Sequence, residues 1–191
     1  MGRAGKLAVA LAALIAGTLS VSADPPEKLV PCLACHGADG QSEIENVPSL
    51  GAQPAPYSVI QLFLFREKMR VVEPMNEMAK ELSDGDLQTM ADALAALPPP
   101  KPPADPGDPA RLDRARALTE QNHCNICHRP DFSGQESVPR LAGQREDYLL
   151  KALRDYKSGA RKGYDPAMIE VVQLLADSQL VEFAYYLAHF R

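Results

Sequence analysis

The chain has 191 residues, 46% hydrophobic and 24% charged, with no Trp, 17 Pro, four Cys and four His. That mix belongs to a folded chain and excludes collagen-like, mucin-like and fully disordered classes. A formal charge of −5 argues against a general nucleic-acid binder, and four Cys are too few for a disulfide-dense scaffold.

Arg3 and Lys6 precede an apolar stretch from Leu7 to Ala16, and Val21-Ser22-Ala23 follows as a small-residue site. This order reads as a secretory signal over residues 1–23, cleaved before Asp24. The run is about half of the ~20 apolar residues that a membrane span needs, so an anchor is the weaker reading. No later stretch is apolar enough to span. The expectation is a soluble chain exported to the periplasm, with no stable membrane span.

From Pro98 to Pro109 the sequence PPPKPPADPGDP holds seven prolines in twelve positions. It cannot continue a helix and favours extended, semi-rigid geometry. The expected organisation is therefore 24–97, a linker 98–109, and 110–191. Residues 24–108 carry 14 acids and 6 bases, net −8; residues 109–191 carry 11 acids and 12 bases, net +1.

The two halves repeat. Cys32, Cys35 and His36 recur 92 positions later as Cys124, Cys127 and His128. At an offset of 91, Val47, Pro48, Leu50, Gln53, Tyr57 and Arg70 recur as Val138, Pro139, Leu141, Gln144, Tyr148 and Arg161. At an offset of 93, Met75, Leu82, Asp84, Leu87, Ala91 and Leu94 return as Met168, Leu175, Asp177, Leu180, Ala184 and Leu187. This period is too long for a solenoid and reads as a duplicated domain.

Within each half the pattern is helical. Helices are expected from Tyr57 to Arg70 and from Tyr148 to Lys157, and over the stretch RLDRARALTEQ that leads to Cys124. Leu87, Met90, Ala91 and Leu94 share one helical face, as do Leu180, Phe183, Ala184 and Leu187. Ser83 or Asp84, and Asp177 or Ser178, suit N-caps. Strand alternation is missing, so the expected fold class is all-α in two tandem units.

Each half holds one C-x-x-C-H: Cys32-Leu33-Ala34-Cys35-His36 and Cys124-Asn125-Ile126-Cys127-His128. This is the attachment signature of haem c. Two thiols one helical turn apart can form thioethers to the two vinyl groups on one porphyrin edge, and the adjacent His then binds iron axially. A zinc ribbon spaces its Cys pairs by roughly 15–20 residues, whereas 88 residues separate Cys35 from Cys124. A redox-active disulfide normally accompanies a βαβ pattern, which is missing here. Two covalently bound haem c groups are the expectation.

His/Met ligation raises haem potentials and suits electron carriers. Met168 is the only methionine of the second half, so a sulfur ligand there must be Met168. The first half offers Met69, Met75, Met78 and Met90; the repeat selects Met75, with Met78 as runner-up. Met78 and Met90 otherwise read as helix-packing residues. His123 adjoins Cys124 and is expected at the surface or in a crevice, and His189 to be partly exposed near the end of the last helix.

These features resemble the dihaem cytochrome c4 family, two class I cytochrome c domains in tandem. The resemblance spans nearly all of the chain after the signal. It rests on both C-x-x-C-H motifs, on VPSLGAQ and VPRLAGQ, and on MNEMAKELSD and MIEVVQLLAD. It implies that Pro48 and Pro139 offer backbone carbonyls to His36 and His128, fixing each imidazole. It also implies periplasmic electron transfer from dehydrogenases or towards a cytochrome complex or terminal oxidase. Two features depart from the family. Only DPPEKLVP separates the signal from Cys32, with Pro31 positioned to disrupt a continuous helix. The long linker also sits poorly with the family's tight face-to-face domain packing.

A half of ~75 residues struggles to build a sufficient core alone, so the haem is expected to serve as core as well as redox centre. The leading functional reading is an electron carrier with no substrate of its own. The alternatives are an electron-accepting subunit of one periplasmic dehydrogenase and a dihaem redox enzyme. The last needs an open iron site, which a matched methionine in each half disfavours.

Overall fold

The computed structural model describes residue 1, residues 26–161 and residues 166–191. The expected export signal and its cleavage point lie outside the described residues. Among the described residues there are helices and one isolated bridge, Gln135 to Val138, but no strand.

The first half opens with a 3-10 turn at Glu27–Leu29, followed by α1 (Val30–His36), α2 (Ala55–Arg66), α3 (Met75–Ala79) and α4 (Asp84–Ala96). The second half runs α5 (Pro109–Gln121), α6 (Cys124–His128), α7 (Glu146–Ser158), α8 (Ala167–Gln173) and α9 (Asp177–Ala188). Thus α1 to α4 match α6 to α9, and among the described residues a long helix precedes the attachment motif in the second half alone. Pro31 causes no break, because it occupies the first turn of α1, where its missing N–H would be unpaired anyway.

Packing follows the apolar faces. α2 lies on α4 and α7 on α9, with α5 also against α9. Leu29, Leu62, Leu87, Met90 and Leu94 form the first core. Phe132, Leu149, Val172, Leu175, Leu180, Phe183 and Leu187 lead the second. Each such side chain contributes roughly 1.5–3 kcal/mol on burial.

Local details depart from the sequence reading in three places. α2 stops at Arg66 rather than Arg70, because Lys68 takes a left-handed conformation (φ 54°) and turns the chain back on itself. Ser83, one of the two expected N-caps, does cap α4, and it does so in a reciprocal box with Asp86. In contrast, α9 is capped by Ala176, whose N–H donates to Gln179 Oε1 at 2.8 Å, ahead of the expected Asp177 or Ser178. His189 is only 8% exposed, more buried than expected; its Nδ1 donates to the Tyr185 carbonyl and its ring lies 4.3 Å from that of Tyr185.

The linker does not hold the halves apart. It runs as a strap over both of them. A Cβ on Gly51 would strike the Pro98 carbonyl, and one on Gly143 the Pro100 carbonyl. Gln41 bonds both backbone groups of Lys101, the Asp108 N–H donates to Tyr185 Oη at 2.7 Å, and Arg191 donates to the Pro103 carbonyl. The halves meet directly beneath it.

Candidate functional site

Each C-x-x-C-H lies on a short helix that ends at its histidine. The turn after it needs positive φ, supplied by Gly37 (85°) in one half and Arg129 (70°) in the other. The helix end is tied down in the same way twice. Ser42 Oγ donates to the Cys35 carbonyl and Gln135 Nε2 to the Cys127 carbonyl, both at 3.0 Å. Cys32 and Cys124 are half-buried, Cys35 and Cys127 exposed, and none of the four is in a disulfide. Burial raises the Cys32 thiol and pushes Cys124 up to about 11.

His36 and His128 are 5% and 7% exposed. The Nδ1 of His36 donates to the Pro48 carbonyl at 2.8 Å, and that of His128 to the Pro139 carbonyl at 2.9 Å. This fixes the tautomer and leaves Nε2 with a free lone pair in each ring. Burial lowers both imidazole pKa values against the opposing pull of the carbonyl bond. Both rings are thus neutral and competent as ligands at neutral pH.

Met75 and Met168 are partly buried, at the start of α3 and α8. Asn76 holds the first of these starts: its amide donates to the Phe65 and Arg70 carbonyls (both 2.8 Å) and accepts from Val72 N–H (2.6 Å). Met90 is a core residue at 2% exposure, while Met69 and Met78 are 60% and 41% exposed. His123 is exposed at the N-cap of α6.

Between the halves runs a seam with two-fold logic. Gln144 Oε1 accepts from Ser49 N–H and its Nε2 donates to the Ser49 carbonyl, both at 2.8 Å. Gln53 does the same with Arg140 N–H and carbonyl, both at 3.0 Å. Ser49 and Arg140 each follow a proline that holds an imidazole, so the clasp and the two histidine sites share one backbone. Deeper in the seam, Arg161 donates to Tyr57 Oη (2.9 Å), Tyr148 Oη (3.3 Å) and Gln61 Oε1 (3.3 Å). Arg70 donates to Gln61 Oε1 (2.7 Å) and Tyr148 Oη (3.4 Å). Burial alone would raise Tyr148, but Arg161 and Arg70 outweigh it and bring it to about 8.

The donor chemistry fits haem c. Two thiols a turn apart beside a histidine with a free Nε2 suit covalent attachment and axial ligation. The charge balance points the same way. Arg161 is buried (6% exposed), yet no carboxylate among the described residues pairs with it or with Arg70. Arg140 Nε is the one buried side-chain polar atom among the described residues with no hydrogen-bond partner. Such unmatched cationic groups suit a cofactor that brings its own carboxylates.

Cytochrome c4 of Pseudomonas aeruginosa is 31% identical to this chain, over 84% of each sequence. The chain belongs to the cytochrome c4 family. The family model for cytochrome c matches residues 112–189. The crystal structure of reduced recombinant cytochrome c4 from Pseudomonas stutzeri matches with a TM-score of 0.78 at 28% identity, covering 86% of this chain and 95% of that one. A thiosulfate dehydrogenase electron acceptor from Stutzerimonas stutzeri is 34% identical, covering 83% of this chain and 78% of its own. As a cytochrome c4, the chain is an electron-transfer protein of all-α, class I cytochrome c fold that carries two haem c groups.

The seam residues Gln53, Tyr57, Arg70, Gln144, Tyr148 and Arg161 received no role from the sequence. Their recurrence at one offset was the available signal: a polar residue kept in both copies, away from the attachment motif, has a reason to be there.

Proposed function

We propose that Cys32 and Cys35 attach one haem c and Cys124 and Cys127 the other, with His36 and Met75, and His128 and Met168, as axial ligands. Residues 24–97 and 110–191 then act as two haem domains joined by 98–109, after removal of an export signal at 1–23, and work in the periplasm. The observation that carries this reading is the duplicated imidazole site: each ring is buried, neutral and held through Nδ1 by a proline carbonyl, which leaves Nε2 for iron.

When bound, each haem supplies a one-electron ferric/ferrous couple. The protein supplies everything else. The thiols fix the porphyrin edge, and the Pro48 and Pro139 carbonyls hold the imidazoles in one tautomer and raise their basicity. Met75 and Met168 would each give a thioether sulfur to one iron, which would leave small oxidants no open site. With all four thiols committed to attachment, no thiolate is left for other ligation. The protein is on this account a carrier and not an enzyme.

Its partners on this reading are redox proteins: a dehydrogenase, a cytochrome complex or a terminal oxidase, without nucleic acid. Among these the dehydrogenase is favoured by one observation, since two relatives, at 34% and 32% identity, bear the name thiosulfate dehydrogenase electron acceptor.

Axial variants of the holoprotein test the ligand set. Met75→Ala and Met168→Ala should each abolish the weak long-wavelength sulfur-to-iron absorption of one haem and lower its potential, because a thioether favours ferrous iron. A Met75→Ala protein with an unchanged spectrum, beside a Met78→Ala protein that has lost the band, would move the first sulfur ligand to Met78.

A further inference from the structure

The loop that leads to Met75 carries apolar residues that the sequence of the second half lacks at the matching positions. Beyond α2 the chain turns through residues 67–70, and Arg70 N–H donates to the Leu64 carbonyl at 3.0 Å. The Arg70 guanidinium faces inward, to Gln61 and over the Phe65 ring at 4.6 Å. Its chain neighbours Met69 and Val71 face outward, 60% and 73% exposed, and Phe63 on the last turn of α2 is 40% exposed. The Asn76 amide clamps both ends of this loop. Met69 and Val71 are therefore held in water on a fixed backbone, and Phe63 partly so with the Arg66 guanidinium 5.4 Å over its ring, at a standing cost in hydration. The fold does not require them. The second half has Arg154, Ala160 and Lys162 at the matching positions.

The surroundings are acidic. Glu67, Glu73, Glu77 and Glu81 are all exposed around this loop and the following α3, against two exposed lysines, Lys68 and Lys80, while Arg66 and Arg70 are half-buried. Arg66 pairs with Glu67, and Lys80 lies 3.9 Å from Glu77, whereas Glu73 and Glu81 have no ion-pair partner among the described residues. Their counterparts in the second half are Pro166 and Leu174. The excess fits the balance of the halves, −8 against +1.

We propose that Phe63, Met69 and Val71, within this glutamate rim, form the docking surface for a redox protein whose own cofactor edge is apolar and ringed by Lys or Arg. The proposal rests on the electron-carrier reading. Apolar centre meets apolar centre, the glutamates steer the amines, and the contact stays small and short-lived as electron transfer requires. One electron leaves the ferrous partner and reduces one ferric haem here. No proton moves.

The test uses the full holoprotein in stopped flow with two ferrous reductants: a lysine-ringed mitochondrial cytochrome c as protein probe, and hexaammineruthenium(II) as small probe. Glu73→Gln with Glu81→Gln should slow the protein probe about threefold or more at low salt and flatten its salt dependence. Met69→Ser with Val71→Ser should slow the protein probe by a similar factor while keeping the salt slope. Neither pair should alter the haem spectrum or the rate with the small probe, and Glu170→Gln with Leu174→Ser in the second half should change nothing. Wild-type rates and slopes with the protein probe in both first-half pairs would overturn the docking surface, as would an effect confined to the second-half pair. Failure of the small probe to reduce the wild-type protein would instead overturn the carrier reading, and the proposal with it.

Discussion

Replacing Gln144 by Leu removes one arm of the seam while keeping its bulk. Gln144 is 4% exposed and Ser49 1%, so the Ser49 N–H and carbonyl released by the change have no ready access to water. Each lost partner of a buried backbone group costs about 1–3 kcal/mol, which puts the pair at about 3 kcal/mol after partial hydration of the loosened seam. Because Ser49 follows Pro48, slack in this loop also reaches the carbonyl that holds His36. Guanidinium unfolding of the holoprotein, followed by far-ultraviolet circular dichroism and by haem absorption, measures the cost. Gln144→Glu provides a sharper arm: it keeps an acceptor for Ser49 N–H but sets a carboxylate oxygen against the Ser49 carbonyl, and should cost at least as much. Stability within about 0.5 kcal/mol of wild type in both variants, the range of ordinary surface changes, would refute the view that this clasp holds the halves together.

Two further outcomes follow from the buried groups. Burial lowers the pKa of His36 and His128, so protons compete poorly with iron for the Nε2 that this account gives to it. The His/Met haem spectrum of the holoprotein should accordingly stay unchanged on acidification down to the free-imidazole value of 6.5 and be lost only at lower pH; loss of ligation above that pH would contradict the assignment. Arg161→Leu strips the donor from Tyr57 and weakens the support of Tyr148 and Gln61, for a cost of about 2 kcal/mol, and should lower at least one haem potential by removing a buried positive charge. A variant with wild-type stability and both potentials unchanged would show that the guanidinium is idle.

Much of the fold was legible because its causes are local. Leu87, Met90, Ala91 and Leu94 repeat at helical spacing and all four are buried, and Ser83, one of two N-cap candidates in the sequence, caps α4. The attachment motifs were legible because the chemistry demands neighbouring residues. What escaped is non-local. The Gln53 and Gln144 clasps bond backbone groups 87 and 95 residues away, and a side chain aimed at a distant peptide leaves no spacing rule behind. The same holds for the linker, where proline content predicted stiffness but not the path over Gly51 and Gly143 that lets the halves close. The early end of α2 reflects the pull of Asn76 and the inward Arg70, tertiary contacts that override a helical pattern.

The central claim is that the chain carries two covalent haems, each a one-electron centre. Its most direct test is a spectroelectrochemical titration of the purified holoprotein, with haem counted by pyridine haemochrome on the same sample. The account predicts two c-type haems per chain that stay with the protein through acid-acetone extraction, and two one-electron waves, each with the spectrum of His/Met ligation. One haem per chain, or extractable haem, would contradict it.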